Sequence, residues 1–183
     1  MPEAEACRCY WDTYAMPRHI REHSLVVARV AVTVAKQAQT NGIPTDLAMI
    51  KAAALLHDIA KDYTISWGGN HAQLGGVWTM EATDNPTLAL AVIHHVYWPW
   101  ELNILHYLLP LVVLYADKRV CHDRVVTLGE RFDDLYERYG TTNFIRSHIE
   151  ISKTQAFNLE RQLSCALRID YHACTFDSGW LVE

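Results

Sequence analysis

Residues 18–40 carry an apolar stripe that only a long helix can bury. Ile20, Val27, Val30, Val34 and Ala38 recur at spacings of three, four and seven, the period of one helix face. The β-branched content of this stretch favours strand, but the stripe is too long and too regular for one. Pro17 suits a first-turn position, and Asn41-Gly42 supplies a stop. The same period governs nearly everything that follows. Thr45 reads as the N-cap of a second helix through Leu47, Ile50, Ala53 and Ala54 to about Ala60. After a loop at 66–70, a third helix is expected over 71–82. Asn85-Pro86 reads as N-cap and first-turn proline of a fourth, 87–95. Trp98-Pro99-Trp100 is a break. A fifth helix spans about 103–121, with Pro110 kinking it or splitting its start from its body. Two more, 128–139 and 143–168, complete an all-α reading of five core helices plus two C-terminal ones.

A chain of 183 residues defaults to one domain. Its core is expected at about 17–121, with a helical extension at 122–168 and a tail at 169–183. Half the residues are apolar and 20% charged, as in an ordinary globular protein. The net charge of −5, from 16 basic and 21 acidic residues, lacks the basic excess of a protein that tracks a nucleic-acid backbone. The longest apolar stretch, 105–116, contains His106 and Pro110 and falls short of the ~20 residues that cross a bilayer. The N-terminus, Met-Pro-Glu-Ala-Glu-Ala, has no basic and then apolar region of a signal peptide. Cys7, Cys9, Cys121, Cys165 and Cys174 fit neither a zinc framework nor a secreted disulfide scaffold. They read as reduced thiols in a cytoplasm.

Ten histidines are scattered along the chain, and several fall on the apolar stripes. At 100° per residue, His23 lies within about 40° of Val27, Val30 and Val34. His57 shares a face with Ile50, Ala53 and Ala54; Asp117 shares one with Val113, Leu114, Val120 and Cys121. Of the adjacent His94 and His95, His95 shares a face with Leu88, Ala91 and Val92. A carboxylate on an apolar stripe is costly unless paired or bound to metal. Helices whose stripes meet in one core can bring such groups together. His57 and Asp58 are neighbours in sequence, and both can reach one metal if the helix ends there. Lys61 follows within one turn and overhangs the same place, where an ammonium can hold a phosphate oxygen.

These residues resemble the pattern of the HD-domain superfamily of metal-dependent phosphohydrolases: a His, an adjacent His-Asp, and a distant Asp on separate helices. They are His23 in Arg-Glu-His-Ser-Leu-Val-Val-Ala, His57-Asp58 in Ala-Ala-Leu-Leu-His-Asp-Ile-Ala-Lys, and Asp117 in Leu-Tyr-Ala-Asp-Lys-Arg-Val. The chain is similar to small stand-alone bacterial members, including those that cleave symmetrical dinucleoside tetraphosphates. Dinuclear branches add two histidines, matched here by His71 and by one of the adjacent pair His94 and His95, with His95 favoured over His94. The segment from Asp58 to His71 is shorter than in the dinucleotide hydrolases and carries Trp67-Gly68-Gly69 in place of their helical insertion.

The resemblance implies a divalent transition metal, two per chain, drawn from Fe, Mn, Co, Ni or Zn. Asp58 would bridge the metals. His23, His57 and Asp117 would complete one site, and His71 and His95 the other. The expected activity is cleavage of a nucleotide or other small phosphoester by a metal-activated hydroxide, with Asp58 and Lys61 as catalytic residues. Arg18, Arg21, Lys118 and Arg119 are candidate phosphate holders, and Trp67, Trp78, Tyr97, Trp98 and Trp100 candidate base-stacking rings. His106 and Cys121 share the face of Asp117, His106 as a candidate neighbour of the ligands and Cys121 as packing. A homodimer is left open. The alternatives are a di-iron oxygenase of the same ligand set and a non-catalytic nucleotide-binding module.

Overall fold

The computed structural model describes residues 2–172 and residue 176. Among these run α1 (Ala4–Thr13), α2 (Arg18–Thr40), α3 (Leu47–Leu56), α4 (Lys61–Trp67), α5 (His71–Thr83), α6 (Pro86–Ile93), α7 (Leu108–Lys118), β1 (Val120–Cys121), β2 (Arg124–Val125), α8 (Leu128–Tyr139) and α9 (Asn143–Leu167). The architecture is all-α, as the periodicity requires. The stripe of α2 is buried along its length, from Ile20 to Ala38. This helix is the centre of the bundle, with α3 and α7 packed against it. The helices α5 and α6 form a pair that leans on α3 and α7 through α6, while α8 and α9 close over α7.

Several boundaries differ from the sequence reading. Asp46, not Thr45, caps α3, its carboxylate accepting the Met49 N–H at 2.9 Å. That helix stops at Leu56 rather than near Ala60, and α4 starts afresh at Lys61 across a turn. The fifth expected helix starts at Leu108, so that Pro110 falls in its first turn, where the missing N–H costs nothing. It ends at Lys118, and a hairpin follows in place of its last turn. Two helices escaped the periodicity altogether, α1 and the seven-residue α4. In α1, Cys7 and Trp11 lie one turn apart and are both buried. The Trp11 indole N–H donates to the Leu55 carbonyl at 2.8 Å, so α1 braces the end of α3. Of the tail expected at 169–183, residues 173–175 and 177–183 lie outside the described residues, and Cys174 with them.

Candidate metal centre

Each of the six residues with metal-ligand chemistry stands at or near an element end. His57 and Asp58 occupy the corner between α3 and α4, His71 opens α5, His95 follows the end of α6, and Asp117 is the penultimate residue of α7. His23 lies in the second turn of α2. Local signals set these positions. Gly68 and Gly69 take φ of +81° and +106°, values open to glycine at no steric cost. Asn70 then caps α5 by accepting from the N–H groups of Ala72 and Gln73. Asn85 caps α6 in the same way. Glycine also lets the two helices close. A Cβ on Gly76 would stand 2.1 Å from Ile93 Cγ1 and 3.2 Å from the Ala89 carbonyl oxygen.

The six side chains converge. His23 Nε2 lies 3.2 Å from Asp117 Oδ1 and 3.8 Å from Asp58 Oδ2. His57 Nε2 is 3.4 Å from Asp58 Oδ2 and 3.7 Å from Asp117 Oδ1. On the other side, His71 Nε2 and His95 Nε2 stand 3.4 and 3.5 Å from Asp58 Oδ1 and 3.2 Å from each other. The two oxygens of one carboxylate thus face two separate groups of ligand atoms. Donors bound about 2.0–2.2 Å from a common ion sit at about this separation from one another.

Backbone carbonyls fix the tautomers. His23 Nδ1 meets the His122 carbonyl at 2.7 Å, His57 Nδ1 that of Ala54 at 2.7 Å, and His95 Nδ1 that of Val92 at 2.7 Å. A carbonyl only accepts, so each Nδ1 carries the hydrogen and each neutral ring offers a bare Nε2 to the centre. Such outer partners orient metal-binding imidazoles. His57 and His95 take theirs from the third residue back, which is why a ligand can follow directly on a helix end.

A cation fits this arrangement. His57 Nε2 and Asp58 Oδ1 are buried without a hydrogen-bond partner, although buried polar atoms almost always have one. Burial by itself lowers the His57 pKa, but the Asp58 and Asp117 carboxylates outweigh it and push the ring up to about 9. A proton there does what a bound ion would do. Burial likewise opposes ionisation of Asp58, yet Lys61 and His57 hold its carboxyl well below the usual range. His71 moves the other way, to about 4, through burial and the neighbouring His95. Lysines also pair with both carboxylates: Lys61 Nζ lies 2.6 Å from Asp58 Oδ2, the oxygen that faces His23 and His57, and the buried Lys118 Nζ 2.7 Å from Asp117 Oδ2.

The candidate phosphate holders divide. Lys61 and Lys118 edge the centre. Arg18 is exposed and pairs with Glu22 at 2.7 Å. Arg21 fastens the turn between α1 and α2 through Met16 O, Trp11 O and Asp12. Arg119 points away into the core, bonded to Val126 O, Tyr115, Glu160 and Tyr171 O. Arg21 and Arg119 are therefore structural: Arg21 is tied to two backbone carbonyls and Asp12, and Arg119 is buried and turned toward Glu160 and two backbone carbonyls. His106 is also corrected: it is exposed in the loop before α7, not on the face of Asp117. His94 turns its ring to Trp98 and Trp100, and Trp78 stacks on Tyr14. Trp98 is buried, while Trp67, Tyr97 and Trp100 remain exposed. Sequence reasoning missed the His122 carbonyl behind His23 and the Glu160 partner of Arg119. Neither has a local signal, since they lie 99 and 41 residues from their partners.

The description "HD domain" matches residues 20–133, more than half of the chain. The chain belongs to the HD-domain family. It is a member of a superfamily of metal-dependent phosphohydrolases, and its His and Asp clusters are of the kind that holds divalent metal. Ribonuclease Y of Wolinella succinogenes is 34% identical over 73 residues, which cover 40% of this chain and 13% of that relative. This HD domain thus spans a small part of the length of that curated relative. No solved structure matches the chain.

Proposed function

We propose that this HD domain is a phosphohydrolase that uses two divalent metals per chain to cleave a nucleotide or another small phosphoester. One observation carries the reading. The buried Asp58 turns one oxygen toward His71 and His95 and the other toward His23 and His57. His23, His57, Asp58 and Asp117 would hold one ion, and Asp58, His71 and His95 the other. Metals bound there supply a water whose pKa is brought toward about 7 and a positive clamp for phosphoryl oxygens.

The chain's own residues do the rest. The backbone-bonded imidazoles keep their Nε2 lone pairs aimed inward without rearrangement. Lys61, 30% exposed at its side chain, reaches both the centre and solvent, and its ammonium is placed to hold a phosphoryl oxygen. Lys118 keeps Asp117 turned so that Oδ1 faces the histidines. The ribonuclease named among the relatives supports phosphoester chemistry. The net charge of −5 favours small nucleotides over extended RNA, and symmetrical dinucleoside tetraphosphates belong among the substrates to be tried.

The test is elemental analysis of the purified protein with a hydrolysis screen across nucleotides, anaerobically reduced and in air. Two ions per chain and phosphate release are expected. Asp58→Ala should lose turnover and most of the metal, and His71→Ala one ion of the two. A wild-type protein with both ions that consumes dioxygen and releases no phosphate from any nucleotide would establish the oxygenase instead. Nucleotide binding without turnover of either kind would make it a binding module.

A further inference from the structure

A third group of metal-binding side chains lies outside the six. The hairpin after α7 pairs Val120 with Val125 and Cys121 with Arg124, and it packs on α8. The Cys121 thiol, the His122 ring and the Asp134 carboxylate of α8 offer ligand atoms that all lie within 4.8 Å of one another. They come from three different environments. Cys121 is buried, Asp134 is half-buried and His122 is exposed at the hairpin tip, so the cluster is anchored in the protein and open on one side. Two arginines stand beside it, and both take the same carboxylate oxygen. Arg131 Nη1 lies 3.2 Å and Arg138 Nη1 3.5 Å from Asp134 Oδ2. They hold the carboxylate in place, and neither hydrogen bond uses Oδ1.

We propose that Cys121, His122 and Asp134 form an accessory site for one zinc-like divalent ion, with water or an external ligand in the fourth position. Thiolate, imidazole and carboxylate together suit zinc or cobalt better than magnesium or calcium, which take oxygen alone. The thiol releases its proton to solvent as the ion binds. Thiolate and carboxylate then balance the ion's two charges, and an anionic ligand in the fourth position would offset the adjacent arginines. The site does not depend on the reading of the six-residue centre, because it shares no side chain with it. The two meet at one bond, since the carbonyl of His122 is the group that orients His23. An ion on the His122 ring would stiffen the hairpin tip that carries this carbonyl.

The experiment is cobalt titration of the metal-stripped, full-length chain. Bound ions per chain are counted, and thiolate-to-cobalt charge-transfer absorption is followed in the near ultraviolet. Wild type should show the absorption and bind one more ion than Cys121→Ser, which should lack it. Asp58→Ala should keep the absorption, so loss of the principal centre is told apart from loss of this one. Asp134→Asn should keep the fold and weaken the absorbing site by at least roughly tenfold. This variant decides the matter if Cys121→Ser fails to fold by circular dichroism. Absence of the absorption in wild type would overturn the proposal. So would its persistence in Cys121→Ser, which would move the ion to another of the chain's five cysteines, or undiminished affinity in Asp134→Asn.

Discussion

Lys61 shows how much one side chain's surroundings decide. It follows the corner that carries His57 and Asp58, and its ammonium lies 2.6 Å from Asp58 Oδ2. If it serves a phosphoryl oxygen during turnover, Lys61→Ala should keep both metals and the fold while lowering kcat by roughly 10²–10³-fold, as loss of an oxyanion donor does. Metal content and steady-state kinetics on the same preparation check this. Unchanged kcat would reduce Lys61 to a solvated helix-start residue. At this scale the sequence was most informative. His23, His57 and Asp117 stood out because polar groups on apolar stripes need a reason, and the six side chains do meet. Arg119 was misread for the opposite reason. A cation next to Lys118 and Asp117 looks available for phosphate until Glu160 and the Tyr171 carbonyl, far along the chain, are seen to bind it.

Among the elements, the pairing of α5 with α6 sets how closely His71 approaches His95. Gly76 has no room for a methyl group, since its Cβ would overlap Ile93. Forcing extra atoms into such a contact costs about 1–3 kcal/mol. Gly76→Ala should lower the melting temperature, part the two rings and weaken one ion selectively. Thermal melts and metal titration check this; an unshifted melt with two ions at wild-type affinity would show that the helices yield elsewhere. The long helices were legible because a stripe of several turns is hard to produce by other means. The short pieces were not. The seven residues of α4 and the two-residue strands β1 and β2 give too few repeats for a period to be recognised, and their places are set by contacts with other elements.

For the molecule as a whole, the buried Arg119–Glu160 pair ties the end of α7 to α9 and to the residues after it. Removing one member of a buried pair leaves the other charge uncompensated and costs about 3–5 kcal/mol. Arg119→Met should therefore shift urea unfolding strongly toward lower concentration, with metal binding retained in the folded fraction. A small shift would mean that the aromatic packing of Tyr115, Tyr171 and Phe176 holds the C-terminal helices unaided. The melting temperature should also fall on removal of metal, because an ion bound only by the folded state stabilises it by about 2.7 kcal/mol at a hundred times its Kd.

The partners of His23 have a bearing on time as well as place. Its Nε2 meets Asp117, 94 residues on, and its Nδ1 meets the carbonyl of His122, 99 residues on. During synthesis, His23 leaves the ribosome long before the groups that complete its environment. If His23 holds metal as proposed, its capture of the ion waits until the hairpin has emerged and docked. Contacts closing so large a loop are expected late on the folding route. An ion that depends on them acts as a lock turned after the door has shut: it should slow unfolding and leave the refolding rate unchanged. Stopped-flow unfolding and refolding with and without metal would show this, and metal that accelerated refolding would place the centre in the folding nucleus instead.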